Sequence, residues 1–141
     1  MAASNRRRDV AGEAWLAMTD LVFRNERRRE VSEAIGLSFG KVRVLRRIVD
    51  QPLPMGELAA DLGIEPPNLT TLIDGLERAG LVERKAHPTD RRVLLVVDTA
   101  AGVELARRAA DILNCPPAGF EELSCADLES LAEILARIPR D

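Results

Sequence analysis

The sequence predicts a mainly α-helical chain with one small β-hairpin. Three features carry that prediction. Leu69, Leu72, Ile73 and Leu76 recur at i, i+3, i+4 and i+7, one apolar stripe on a helix of 3.6 residues per turn. The runs LVERK and VLLVV are rich in β-formers and bracket a polar, charged, proline-containing stretch from Ala86 to Arg92, a hairpin with a long tip. Hydrophobic residues make up 46% of the 141 residues but aromatics only 3%, so a single core must be built from Leu, Val, Ile and Ala.

Taken in order, residues 1–8 are polar, with Arg6, Arg7 and Arg8 in succession. They are expected to form a solvated, frayed end, with a phosphate-touching arm as the sharper alternative. A helix is expected from Asp9, a fair N-cap, to about Ala34, with Val10, Ala14, Ala17, Met18 and Leu21 on one stripe. Trp15, Leu16, Val22 and Phe23 widen that stripe beyond one core face, which calls for two neighbours, one of them a second subunit. The run RNERRRE is read as a solvated face. Gly36 ends the helix and Ser38 caps the next, with Val42, Leu45, Ile48 and Val49 inward and Pro52 and Pro54 beyond its end. Met55 to Leu62 makes a two-turn helix burying Leu58, Ala59 and Leu62. Gly63 supplies the tight turn and Ile64 fills the corner.

The next helix opens on Pro66 and Pro67, whose missing N–H groups cost little in a first turn, and ends at Gly80. Its outer faces show Asn68, Thr70, Thr71, Asp74 and Arg78. Thr99 to Asn114 reads as a helix with Val103, Ala106, Ala110 and Leu113 on one face, stopped by Cys115, Pro116 and Pro117. Ser124 caps a last helix with Leu128, Leu131, Ile134, Leu135 and Ile138 apolar, and Ser124 with Asp127 approximates a capping box.

Composition narrows the function classes. No run approaches the ~18 apolar residues of a membrane span, and the basic start lacks the apolar region of a secretory signal. Two cysteines ten residues apart make no disulfide framework. A soluble cytoplasmic protein is expected. No His-paired nucleophile, Gly-rich phosphate loop or zinc-ligand spacing is present, so neither an enzyme nor a cofactor or metal site is expected. His87 is the sole histidine.

The net charge of −3 is unevenly placed. Seven basic side chains face six acidic ones in residues 1–37, and nine face eight in 38–97, but only four face nine in 98–141. The acidity therefore sits at the C-terminal end. The segment from 84 to 92 holds Arg84, Lys85, Arg91 and Arg92 against Asp90.

A short helix, a glycine turn, a second helix with a polar edge, and then a basic hairpin is the order of a winged helix-turn-helix that reads DNA. The sequence resembles the MarR family of transcriptional regulators over about Leu37 to Arg108. TLIDGLERAGLVER at 71–84 and HPTDRRVLLV at 87–96 are the specific parts, the latter holding the family's Asp-x-Arg signature as Asp90 and Arg92. The resemblance implies an obligate homodimer of type α1-α2-β1-α3-α4-β2-β3-α5-α6, with residues 9–37 and 99–138 as interlacing dimerisation helices and 38–97 as the DNA-binding lobe. Two such lobes demand a pseudo-palindromic double-stranded operator with half-sites roughly 34–36 Å apart.

On that reading Pro67, Asn68, Thr70 and Thr71 face the duplex, with Asn68 suited to a bidentate contact with adenine and Thr70 or Thr71 to a phosphate or a thymine methyl. Arg92 is implied as the minor-groove residue and Asp90 as its holder, while Arg84, Lys85, His87 and Arg91 add phosphate contacts. Pro66 and Pro67 replace the small polar residues common in the family, and Thr71 and Gly75 stand where Arg is common. The recognition helix is thereby short of positive charge. A repressor released by a small-molecule effector is expected, with Trp15, Met18, Phe23 and Arg46 as effector-pocket candidates. Two alternatives stay open. One is a winged-helix protein-interaction adaptor that does not bind DNA. The other is a thiol-based redox regulator using Cys115 or Cys125, although the sensing thiol of peroxide-responsive relatives lies in the first helix, where this chain has none.

Overall fold

The computed structural model describes residues 2–24 and 26–139. The chain runs α1 (Ala2–Phe23), α2 (Arg27–Ile35), α3 (Phe39–Ile48), β1 (Leu53–Pro54), α4 (Met55–Leu62), α5 (Pro66–Arg78), β2 (Val82–Ala86), β3 (Leu94–Asp98), α6 (Ala100–Leu113), a 3-10 turn (Ala118–Glu122) and α7 (Cys125–Ala136). The expected order needs two changes. The first helix begins at Ala2, so residues 2–8 are helical rather than frayed. It also stops at Phe23, and a separate α2 starts at Arg27. The chain therefore has one more helix than the implied pattern; Met1 and Asn25 lie outside the described residues.

The core sits beneath α5. Val44, Leu45 and Ile48 of α3, Leu53, Leu58 and Ala59, Leu69, Ile73 and Leu76 of α5, and Leu81, Val82, Val96 and Ala106 form one buried cluster. Leu72 is only partly buried, at the edge of the expected stripe. Burying Leu69, Ile73 and Leu76 contributes about 5 kcal/mol or more, well above the roughly 1 kcal/mol that Gly75 costs the helix interior. A smaller cluster joins Val31 of α2, Val42 of α3 and Ala109 of α6. Val44 is fully buried although the stripe did not name it, while Val49, expected inward, caps α3 and is 37% exposed.

Local signals fix the turns. The Ser38 side chain accepts the Lys41 N–H at the start of α3. Gly63 ends α4 at φ 62°, a left-handed conformation that suits glycine. At the end of α5, Gly80 lies at φ 72°; its N–H donates to the Glu77 carbonyl at 2.9 Å and the Leu81 N–H donates to the Leu76 carbonyl at 3.0 Å. That pair of bonds is a Schellman cap, and it turns the chain straight into β2.

The sheet has the order β1-β3-β2, all antiparallel, with Val82 opposite Asp98 and Arg84 opposite Val96. Each hairpin strand lies one residue later than the apolar runs suggested, and β1, only Leu53 and Pro54, adds a third strand. The packed face of α6 is Gly102, Ala106 and Ala109, about half a quadrant from the expected Val103–Ala110 face. It closes tightly on the sheet: a Cβ at Gly102 would stand 2.0 Å from the Leu81 carbonyl oxygen. Ser124 caps α7 by accepting the Asp127 N–H at 3.1 Å, but the Asp127 carboxylate takes the Ser124 hydroxyl at 2.6 Å instead of the backbone N–H of a full capping box. Ile138 lies beyond the end of α7.

Helices α1 and α7 have no fully buried side chain among the described residues. Among the described residues α1 exposes Trp15 (66%), Leu16, Val22 and Phe23 (77%), and α7 exposes Ile134 and Leu135. The run after Phe23 is more than a solvated face: Arg27 pairs with Glu30 and reaches the Pro116 carbonyl, and the Arg28 guanidinium lies 5.0 Å over the Phe39 ring. No helix among the described residues is long and apolar enough to cross a membrane.

Candidate nucleic-acid interface

With Leu69, Ile73 and Leu76 buried, the 3.6-residue period turns Pro67, Thr71, Asp74 and Arg78 outward. The Thr70 and Thr71 hydroxyls donate to the Pro66 and Pro67 carbonyls at 3.1 and 3.2 Å. These bonds serve first-turn carbonyls and leave each threonine its methyl group and acceptor lone pairs for a ligand. Asn68 is exposed and, among the described residues, makes no side-chain hydrogen bond, so its whole amide edge is available.

The hairpin tip is ordered by its own side chains. The His87 N–H donates to the Val93 carbonyl at 2.8 Å and the Val93 N–H to the Asp90 carbonyl at 3.0 Å. His87 Nδ1 accepts the Thr89 N–H at 3.2 Å, which leaves Nε2 as the ring's donor. Asp90 Oδ1 accepts the Arg92 N–H at 3.1 Å and its Nε–H at 3.2 Å. The Arg92 side-chain and backbone donors hold the Asp90 carboxyl below the usual carboxylate range. Arg92 is nevertheless 90% exposed, although one terminal nitrogen also donates to Asp90 Oδ2 at 3.5 Å. Arg91 and Lys85 are exposed beside it, Lys85 with Glu83 at 3.3 Å.

Arg84 is placed differently from the others. Strand alternation puts it on the same face as buried Val82, against α5, where its side chain is only 22% exposed. One guanidinium nitrogen binds Asp74 Oδ1 at 2.5 Å and the other binds Glu77. Its charge braces the hairpin to α5 rather than facing outward. Sequence reasoning missed this, although the period-two step from Val82 was a usable signal.

Asp98, at the end of β3, was also unforeseen. Among the described residues both its carboxylate oxygens are buried without a hydrogen-bond partner, and burial pushes its pKa up to about 6. The effector candidates divide. Trp15, Met18 and Phe23, with Thr19 and Val22, line an apolar groove of about 230 Å³ on α1. Arg46 lines a separate recess of about 260 Å³ with Arg43, Arg47 and Leu62, so one chain alone does not bring it to the groove. Cys115 and Cys125 are free and exposed, with an Arg27 guanidinium nitrogen 3.6 Å from Cys115 Sγ.

The polar edge of α5 and the hairpin thus form one outward surface on a helix-turn-helix. The MarR family model matches residues 35–93, from the end of α2 to the hairpin tip. Over that stretch, which holds the helix-turn-helix and most of the hairpin, the chain is similar to the MarR family. YcgE of Bacillus subtilis (strain 168), described as an uncharacterized HTH-type transcriptional regulator, is 40% identical over 50 residues, 36% of this chain and 32% of that protein. YhbI of the same strain, described likewise, is 28% identical over 88 residues, 62% of this chain and 57% of that protein. The MarR-type unit therefore matches between about a third and just over half of these relatives' lengths.

The fold likeness runs further than the family match. Reduced MarR from E. coli superposes with a TM-score of 0.73 at 21% identity, covering 89% of this chain and 96% of that one. MepR of S. aureus, solved as a DNA complex, gives 0.63 at 18% identity over 89% and 94%. NadR in complex with 4-hydroxyphenylacetate gives 0.67 at 24% identity over 90% and 89%. At these identities the likeness establishes the MarR-type winged-helix fold.

Proposed function

We propose that the protein is a homodimeric, sequence-specific double-stranded DNA-binding repressor that a small-molecule effector releases. The observation that carries this reading is the pairing of a free polar edge on α5 with a wing whose Asp90 anchors an otherwise exposed Arg92. Residues 38–97 are the DNA-reading lobe. Asn68, Thr70 and Thr71, with Pro67 at their edge, enter the major groove; Arg92 enters the minor groove; Lys85, His87 and Arg91 take backbone phosphates. Arg84 acts from within, holding the wing at its angle to α5.

The open apolar faces of α1 and α7 are covered by a second copy of the chain, which places two lobes on a pseudo-palindromic site. MepR, solved with DNA, and NadR, solved with a phenolic acid, support the two ligand classes. The α1 groove at Trp15, Met18 and Phe23 suits the ring of a small aromatic anion, and Arg46 of the partner subunit or of the same chain suits its carboxylate. The effector releases DNA by binding the DNA-incompetent lobe spacing more tightly than the competent one, since equal affinity for both would shift nothing.

Selection of bound sequences from random duplex, followed by a salt titration on the winner, tests the reading. A palindromic consensus whose log affinity falls linearly with log salt is expected. Absence of any enriched duplex would instead point to a winged-helix adaptor for another protein.

A further inference from the structure

Helices α3 and α5 meet through two glycines. A Cβ at Gly40 would lie 3.3 Å from both methyl carbons of Leu72, and a Cβ at Gly75 would lie 2.7 Å from Nζ and 2.8 Å from Cε of Lys41. The end of the Lys41 side chain is therefore laid across α5 in space that any side chain at 75 would enter. Gly75 is not a turn residue, and glycine weakens a helix interior relative to alanine. A side chain at 75 would displace the end of Lys41 from where it now lies.

The position of the ammonium matters. Gly75 and Asn68 are seven residues apart on α5, two helical turns, and so share one flank of the helix. Asp74 and Glu77, about 100° and about 160° around the helix from Gly75, are joined to Arg84. Lys41, among the described residues, has no carboxylate within ion-pair distance, although it is partly sheltered by the helix packing. The flank bearing Asn68 thus carries an uncommitted positive charge that its own helix does not supply. An ammonium on a flexible stem is a point-charge ligand for phosphate and reads no base.

We propose that Lys41, carried over Gly75, contacts a backbone phosphate of the duplex on the Asn68 flank of α5. The inference rests on the DNA-binding reading above. It assigns to α3 the phosphate contact that α5 itself, short of basic residues, does not provide.

Duplex affinity measured by fluorescence anisotropy across roughly 50 to 200 mM salt tests it, using the wild type, Lys41→Met, Lys41→Arg, Gly75→Ala and the Lys41→Met/Gly75→Ala double variant. Lys41→Met is expected to lower the magnitude of the log-affinity against log-salt slope by about 0.9, the loss of one phosphate contact. It should weaken specific and unrelated duplexes alike, with an unchanged melting temperature, and Lys41→Arg should restore the slope. Gly75→Ala should weaken binding in the wild-type background and add nothing to Lys41→Met. An unchanged slope in Lys41→Met, with wild-type binding intact, overturns the Lys41 assignment alone. A wild type that binds no duplex overturns it together with the DNA-binding reading.

Discussion

The Thr99 hydroxyl donates to the Gly80 carbonyl at 2.7 Å, while the same oxygen accepts the Gly102 N–H at 3.1 Å. The Thr99 N–H also donates to the Leu81 carbonyl at 3.1 Å. One residue therefore caps α6 and straps its start to the end of α5. Thr99→Ala removes the cap and the strap together and should cost about 1–2 kcal/mol of stability in urea unfolding. Thr99→Ser keeps both hydroxyl bonds and should lie close to wild type. Equal losses in the two variants would show that the methyl group, not the hydroxyl, is what matters.

Arg92 and Arg84 should separate in a salt titration. Arg92→Ala removes an exposed guanidinium, so stability should change by no more than about 0.5 kcal/mol. Operator affinity should fall at least about tenfold, with a salt slope shallower by about 0.9. Arg84→Met leaves Asp74 and Glu77 without their shared partner and should cost about 1 kcal/mol, the two carboxylates being half-exposed and screened. Its affinity should drop while the slope holds, because the lost charge faced inward. A slope change in Arg84→Met would return that residue to the phosphate-contacting set.

Asp98 sets a pH dependence of definite sign. Its pKa rises from 3.8 in the unfolded chain to about 6 in the fold, so the native state holds the proton more tightly. At neutral pH the carboxylate is ionised in both states and its burial weakens the fold. As the pH falls through 6 toward 4 the native state takes up the proton first and stability rises, by up to about 3 kcal/mol. Asp98→Asn should be more stable than wild type near pH 7.5 and should flatten the profile between 4 and 7. Urea melts across that range measure both, and a wild-type profile that falls with acidification would contradict the buried placement.

Truncation after Asn114 removes α7, which buries no side chain within its own chain. The remaining lobe should keep a cooperative melt, because its two buried clusters are intact. Sedimentation should show a monomer. A truncated dimer would move the subunit interface to α1 alone.

The winged unit was legible because its signals are local. The bounds of α4 follow from Pro54 and Gly63, the end of α5 from Gly80, and the cap of α6 from Thr99, each a residue whose backbone or side-chain chemistry acts within a few positions. The break between α1 and α2 was not, since RNERRRE contains neither Gly nor Pro and is charged on every face. Strand β1 was missed in the residue-level reading because two residues show no alternation. The inward placement of Arg84 was not legible for another reason. Charge alone marked it as ligand-facing, whereas its partners, Asp74 and Glu77, arrive only with the tertiary packing.

Gly102 sets the clearance between the winged unit and the helix that leads away from it. Alanine there would press its methyl into the Leu81 carbonyl, which is backbone and cannot swing aside as a side chain would. The two bodies are held at a distance defined by a missing carbon. The contact has one direction left to yield, outward, because it is already closed to the limit. Any movement of α6 relative to the C-terminal end of α5 at this point must therefore open the seam, since nothing remains to be closed.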